Sequence, residues 1–313
     1  KILFLHLKIF KLIILNYYSI NNRKKIYFFF LNKKLTLYLF SIFRQHANII
    51  LDDSAKPIEE KYQEFVEKSL SKKPIKIVTH GWRSSANKSA VTGIKDAYLG
   101  MYDDVAVIGV DWSSIAKSIV YPAVALQTKT VGAEVAEFLN ALNDNYNISG
   151  LNIHMIGHSL GAHVMGIAAS KSTLNVSRIT GLDPARPLFE FTKESDKLDS
   201  TDANFVDVIH TCGGVLGIKN SIGDADFYPN NGFPPQPGCG DIQHLLACSH
   251  SRSHMYFMES IRNPNSFPAC NTWTSYIQRQ CGEYVFMGEK LKQSARGDFF
   301  LQTNQEYPYG RGV

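Results

Sequence analysis

Short apolar runs alternate with segments of helical spacing between residues 75 and 209, and this alternation constrains the fold more than any other feature. Apolar residues at helical spacing predict a helix at residues 123–142, and a run of small residues predicts a second helix after Gly161 through Ala169. Continuously apolar strands between helices are typical of a mostly parallel sheet that helices cover on both faces. No repeat or Pro- or Gly-rich linker divides this region, so we expect one α/β domain. The predicted strands lie at residues 75–79, 105–110, 151–156, 178–182 and 205–209.

The composition, 44% hydrophobic and 19% charged residues, is that of a globular protein and excludes a disordered or fibrous one. The net charge of +5 comes from residues 1–45, which hold nine Lys or Arg and no Asp or Glu. Residues 46–313 hold the other 24 basic residues and all 28 acidic residues, so this body of the chain is mildly acidic. Nothing in this distribution indicates a nucleic-acid partner.

Residues 1–45 consist almost wholly of Lys, Ile, Leu, Phe, Asn and Tyr. We interpret residues 1–32 as a non-globular or mis-annotated extension, and residues 33–313 as the globular domain, with its first strand in 35–43. A secretion signal over residues 33–43 is an alternative, although no A-x-A-like cleavage site follows it. A transmembrane segment is disfavoured, because Lys and Arg residues interrupt every apolar run before 18 residues.

The segment Gly157-His158-Ser159-Leu160-Gly161 matches the pattern G-x-S-x-G. By chance alone this pattern occurs in roughly one chain in ten. Here it follows a predicted strand and opens a predicted helix, where its glycines permit a sharp turn that raises the serine hydroxyl above the sheet. The pattern therefore predicts that Ser159 is a nucleophile, and the alternative is an ordinary glycine-rich turn.

A serine nucleophile needs a base and an acid that orients the base, and in this arrangement the chain order is Ser, acid, His. Asp183 follows the predicted strand 178–182 directly. His210 ends an apolar run, which indicates a structural role. His250 stands just before a stretch that we predict to be helical, but the residues alone leave the choice of base open among His244, His250 and His254.

Backbone N–H groups should stabilise the oxyanion that forms during such a reaction. Leu160 follows the nucleophile and supplies the first N–H. Trp82 supplies the second, in a His80-Gly81-Trp82 turn that closes strand 75–79. The alternative for this turn is a structural role with a packed tryptophan.

Seven motifs together resemble the pancreatic lipase family, and most closely its insect branch, which includes phospholipases A1. The resemblance covers about residues 35–313 and implies an α/β-hydrolase fold, with a mostly parallel central sheet flanked by helices. It assigns Ser159, Asp183 and His250 as nucleophile, acid and base, and Trp82 and Leu160 match its oxyanion positions. The motifs are IVTHGW (77–82), GHSLGAH (157–163), TGLDPARP (180–187), VDVIHT (206–211), DFYPNNG (226–232), PGC (237–239) and CSHSRS (248–253).

The resemblance also implies two disulfides, Cys239–Cys248 and Cys270–Cys281, which leave Cys212 unpaired. The first would close the lid, a loop before the catalytic histidine, around only eight residues. Lids this short accompany phospholipase A1 activity in the family, whereas triacylglycerol lipases have longer ones. Many members carry a C-terminal β-sandwich domain, and we expect none here, because the chain stops at Val313.

These features predict a secreted serine carboxylic-ester hydrolase that acts on lipid at a membrane or micelle surface. Phospholipase A1 is the first choice, and a triacylglycerol or galactolipid lipase is the second. A non-catalytic lipid-binding protein of the yolk type is a third, although such relatives typically lack the serine. We expect glycosylation at the sequons of Asn87, Asn147 and Asn175.

The predicted reaction needs no cofactor. Some family members bind a structural Ca²⁺ shortly after the catalytic Asp, and carboxylate and carbonyl oxygens suit that ion. The alternative is a solvated acidic loop. The matching residues are Glu194, Lys197, Asp199 and Asp202.

Overall fold

The protein is described from a computed structural model. The structure describes residues 73–240 and 244–312 together with Leu70, and it describes the backbone of three strands that precede them in the chain. These three are β1 (Tyr18–Ile20), β2 (Arg23–Phe28) and β3 (Thr36–Ser41). The remaining strands are β4 (Ile75–Thr79), β5 (Ala106–Asp111), β6 (Ile153–His158), β7 (Arg178–Leu182), β8 (Val206–Ile209), β9 (Ala225–Pro229), β10 (Pro268–Ala269), β11 (Val285–Phe286) and β12 (Gly297–Leu301).

The sheet has ten strands in the order β1-β2-β3-β5-β4-β6-β7-β8-β9-β12. From β5 to β12 all neighbours are parallel, and β1, β2 and β3 join antiparallel at one edge. The helices are α1 (Ser89–Met101), α2 (Ser113–Ala116), α3 (Tyr121–Tyr146), α4 (Leu160–Lys171), α5 (Leu245–Arg262) and α6 (Trp273–Ile277). This confirms the mostly parallel sheet flanked by helices.

The strand predictions agree closely with the structure. Strands 75–79 and 178–182 match β4 and β7 residue for residue, and β5 is shifted by one residue from its predicted bounds. Strand β6 begins two residues later than predicted, because Gly150–Asn152 form a 3₁₀ turn that the side chain of Ser149 caps.

The first 45 residues contribute three described strands. Thr36–Ser41 forms the strand predicted in 35–43 and pairs antiparallel with β5. Strands β1 and β2 lie within residues 1–32, and the rest of that stretch lies outside the described residues. The boundary at residue 32 therefore stays a prediction. Among the described residues, no β-sandwich follows the α/β unit.

The core consists of two apolar layers, one on each face of the sheet. Successive side chains of a strand point to opposite faces, so β4 places Ile77 in one layer and Val78 in the other. Helices α3 and α4 cover the first layer, and α1 and α5 cover the second. Because both faces of the sheet are buried, these strands are mostly apolar instead of alternating between apolar and polar residues.

The parallel register aligns the carboxyl ends of the central strands. Thr79 of β4 lies opposite Gly157 of β6, and His158 lies opposite Leu182 of β7. The next residues of β6 and β7 therefore emerge side by side at one edge of the sheet, which we call the carboxyl edge.

A buried ion pair lies toward the other edge. Arg178 donates to both carboxylate oxygens of Asp207, at 2.7 and 3.0 Å, and also to the backbone carbonyls of Gly288 and Glu289. Thr180 donates to the same carboxylate at 2.9 Å. The pair thereby ties strands β7 and β8 to the segment after β11.

Replacing Asp207 with Asn should destabilise the fold by about 3 kcal/mol, because it leaves the buried Arg178 without its counter-charge. Urea unfolding followed by circular dichroism measures this loss. The control is Glu283→Gln, which removes an exposed ion pair with Lys292 and should cost less than about 1 kcal/mol. Equal losses in the two variants would contradict the prediction.

Candidate active site

Ser159 lies in a tight turn between β6 and α4, with φ 58° and ψ −125°. A positive φ strains a residue other than glycine, and a packed neighbourhood must hold it. A Cβ on Gly157 would overlap the carbonyl of Gly161, and a Cβ on Gly161 would lie 2.6 Å from the carbonyl oxygen of His80. The two glycines of the G-x-S-x-G pattern are thus required by close backbone approach.

The turn after β4 packs directly against Ser159. A Cβ on Gly81 would lie 2.6 Å from the Cβ of Ser159 and 3.1 Å from its Oγ. The backbone N–H groups of Trp82 and Leu160 donate to no atom of the described residues. Two N–H donors without a partner among the described residues therefore lie beside the serine, and their role in an oxyanion hole stays a prediction.

Residues that the sequence interpretation did not single out hold this turn in place. The indole Nε1 of Trp112 donates to the carbonyl of His80 at 2.9 Å, and His80 Nε2 lies 3.2 Å from Oδ1 of Asp111. The indole of Trp82 donates to the carbonyl of Ser118 at 2.6 Å. The sequence did hold a signal for these contacts: Asp111 and Trp112 interrupt the apolar run at the carboxyl end of β5, which lies on the same edge of the sheet as Ser159.

Asp183 follows β7 and is fully buried. Its Oδ1 accepts hydrogen bonds from the backbone N–H groups of Thr211 (2.8 Å) and Cys212 (3.0 Å). Its Oδ2 accepts one from Nδ1 of His250, at 2.5 Å. A Cβ on Gly217 would overlap this carboxylate, so only glycine fits there.

Of the downstream histidines, His250 alone contacts Asp183 within the described part of the chain. His210 instead bonds Asp226 at 2.8 Å and has a structural role, as predicted. His244 precedes α5 and is exposed, whereas His254 is buried further along it. Sequence placed His250 just before a helix; this was wrong, because α5 begins at Leu245 and includes it.

The structure pairs Cys239 with Cys248 and Cys270 with Cys281, and leaves Cys212 as a buried thiol. Burial raises the pKa of Cys212 to about 11, so this thiol is protonated at neutral pH. Since α5 starts inside the loop that Cys239 and Cys248 close, part of the expected lid is helical.

Three of the four residues that match the calcium site of some family members, Glu194, Lys197 and Asp199, line a cavity of about 330 Å³. Asp199 and Asp202 are both buried, and burial together with the Asp199 charge raises the pKa of Asp202 to about 7. Two adjacent buried carboxylates fit a hard cation. No cluster of three or more His, Cys, Asp or Glu able to hold a metal occurs among the described residues, so backbone carbonyls would have to complete the site.

The strand order, the serine turn between β6 and α4 and the buried acid after β7 define an α/β-hydrolase. The family model for Lipase matches residues 39–309. The chain belongs to this family.

Curated relatives agree with this assignment. Lipoprotein lipase from Bos taurus is 36% identical over 264 residues, covering 74% of this chain and 55% of the relative. Pancreatic triacylglycerol lipase from Myocastor coypus is 36% identical over 229 residues, covering 66% of this chain and 50% of the relative. The chain therefore spans about half the length of the curated relatives that it matches. The insect branch stays a prediction.

Replacing Gly217 with Ala should slow the labelling of Ser159 by a fluorophosphonate at least about tenfold, because the added methyl displaces the Asp183 carboxylate from His250. Mass spectrometry of the labelled peptide measures the rate. Gly100→Ala is the control, since a Cβ there meets no atom within 4 Å. Unchanged labelling of a folded Gly217→Ala variant would contradict the prediction.

Proposed function

We propose that this chain is a secreted serine hydrolase that cleaves carboxylic esters of lipids, with phospholipase A1 as its first activity. The observation that supports the proposal most directly is the hydrogen bond between His250 and the buried Asp183, on the edge that also carries Ser159. In the proposed reaction Ser159 is the nucleophile, His250 the base and Asp183 the acid. The Trp82 and Leu160 N–H groups form the oxyanion hole.

The reaction proceeds through an acyl-enzyme. The Oγ of Ser159 attacks the ester carbonyl while Nε2 of His250 takes its proton, and the N–H groups of Trp82 and Leu160 stabilise the oxyanion. Asp183 holds the imidazole in the required tautomer and stabilises the imidazolium. His250 then protonates the departing alcohol, and a water molecule, activated by the same imidazole, releases the fatty acid.

Exposed apolar side chains on the loops of the carboxyl edge and in the first turn of α5 support a lipid surface as the partner. These loops contact one another in turn: Tyr121 donates to the carbonyl of Pro187, and Gly213 donates to that of Gly232. Exposed apolar groups clustered around a polar site are typical of contact with lipid or protein. We call them the apolar rim: Ile119, Val120, Leu188, Phe191, Phe233 and Leu246.

The short lid favours a phospholipid over a triacylglycerol. The Cys239–Cys248 disulfide closes a loop of eight residues, and the last three of them, from Leu245 on, belong to α5. Such a loop has too few residues to cover a broad apolar crevice. An open, hydrated site suits one acyl chain beside a polar headgroup better than three acyl chains.

A triacylglycerol lipase is the second candidate. The name of the Myocastor coypus relative supports it, since that protein is a pancreatic triacylglycerol lipase. A non-catalytic lipid-binding protein is less favoured, because Ser159, Asp183 and His250 are all present.

Secretion is supported by the two disulfides, which persist in oxidising compartments. The sequon residues Asn87, Asn147 and Asn175 are exposed, as glycosylation requires. No helix in the described part of the chain has the length and hydropathy needed to span a membrane.

Expressed behind a secretion signal, the protein should release fatty acid mainly from the sn-1 position of phosphatidylcholine and more slowly from long-chain triacylglycerol. The substrates are phosphatidylcholine vesicles and triacylglycerol emulsions, and chromatography of the released fatty acids and lysolipids measures the preference. Ser159→Ala should lose the release at least about 10³-fold. A preference for triacylglycerol would replace phospholipase A1 by the second candidate, and no Ser159-dependent release by folded protein would favour the binding protein.

We also propose that Asp199, Asp202 and the carbonyls of Glu194 and Lys197 hold a structural Ca²⁺. At 100 times its dissociation constant the ion should add about 2.7 kcal/mol of stability, measured as a rise in Tm. Asp199→Asn should remove the response. Asp196→Asn should keep it, because that carboxylate pairs with Lys129 instead. A wild-type Tm that Ca²⁺ leaves unchanged would refute the site.

A further inference from the structure

His158 links the turn that carries Ser159 to the helix that carries His250. It is the last residue of β6, directly before Ser159, and its Nε2 lies 3.2 Å from the backbone carbonyl oxygen of His250. The centroids of the His158 and His250 rings are 4.6 Å apart. A direct hydrogen bond therefore joins two segments that are 92 residues apart in the chain.

The His158 ring is a neutral donor. A carbonyl oxygen only accepts, so Nε2 of His158 carries the proton. Burial lowers the pKa of His158 well below its ordinary value, and the neighbouring His250 and His254 lower it further. A neutral neighbour matters because His250 becomes an imidazolium during the proposed reaction, and a charged ring at this distance would repel it.

His254 holds the His158 ring from a second direction. Its ring packs edge-on against His158, with centroids 5.2 Å apart, and it is 4% exposed. Burial lowers the pKa of His254 to about 4, so this ring is neutral as well. His250 and His254 lie one helical turn apart on α5, and His158 contacts both.

The backbone carbonyl of His250 accepts a second hydrogen bond, which has a different effect. The hydroxyl of Ser253 donates to the carbonyl oxygen of His250 at 2.9 Å. Ser253 belongs to α5, so its bond moves with the helix and cannot fix the helix against the Ser159 turn. The His158 bond crosses between the two elements and can.

We propose that His158 is a positioning residue for the hydrolysis proposed above: its Nε2–H bond to the His250 carbonyl, together with packing against His254, sets the base at its working distance from Ser159. The inference rests on the proposed function. A small displacement of a catalytic group is costly, because proton transfer requires hydrogen-bond reach.

The test compares two substitutions of His158 on a soluble p-nitrophenyl ester. His158→Leu removes the donor and should lower kcat at least about tenfold while KM stays within about twofold. His158→Gln keeps an N–H donor and should recover most of kcat. Equal loss of kcat in the two variants, or a change in KM alone, would overturn the proposal.

His154→Leu is the matched control. It also removes a buried imidazole from β6, one whose Nε2 lies 2.8 Å from the hydroxyl of Thr180. It should lower Tm at least as much as His158→Leu and leave kcat within about twofold. A loss of kcat that tracks Tm across all three variants would show that His158 is merely structural.

A second readout separates this proposal from the proposed function. The Nδ1 proton of His250, bonded to Asp183, should give a low-field proton resonance. His158→Leu should shift or broaden it, and His158→Gln and His154→Leu should retain it. If wild-type protein shows no Ser159-dependent hydrolysis, the proposed function fails, and this resonance alone decides the positioning role. A resonance that His158→Leu leaves unchanged refutes that role.

Discussion

The buried carboxylate of Asp183 is the group around which the carboxyl edge is organised. A carboxylate without solvent must have its oxygens fully hydrogen-bonded, or its burial costs several kcal/mol. Here the partners come from two other elements: the backbone after β8 supplies two N–H groups, and α5 supplies His250. The hydrogen bonds to this one carboxylate therefore fix three segments relative to one another: the end of β7, the backbone after β8, and α5. Gly217 belongs to the same arrangement, because any side chain at this position would overlap the Asp183 carboxylate.

Much of the fold could be predicted because its signals are local. Strands buried on both faces are mostly apolar, so β4 and β7 were found residue for residue. The G-x-S-x-G turn was recognisable because close backbone approach requires its two glycines, and glycines at this spacing can be read directly from the sequence. The order Ser, Asp, His narrowed the acid and base, and the resemblance to the lipase motifs selected His250.

What could not be predicted depends on packing between distant segments. The start of α5 was missed, because whether a helix begins before or after His250 depends on how the Cys239–Cys248 loop docks. The contacts of His80 with Asp111 and Trp112 join two different strand ends, and no spacing in the sequence reveals them. The contact of His158 with His250 is of the same kind.

The order of these groups along the chain has a consequence for biosynthesis. Ser159 and Asp183 follow neighbouring strands and can be brought together by pairing within residues 153–182. His250 arrives only after β8, β9 and the start of α5 have been made. Since domains form from the N-terminal side during synthesis, a partly emerged chain holds Ser159 and Asp183 but lacks His250. In the mechanism proposed above, such a chain cannot hydrolyse the lipids of the cell that makes it until α5 has docked.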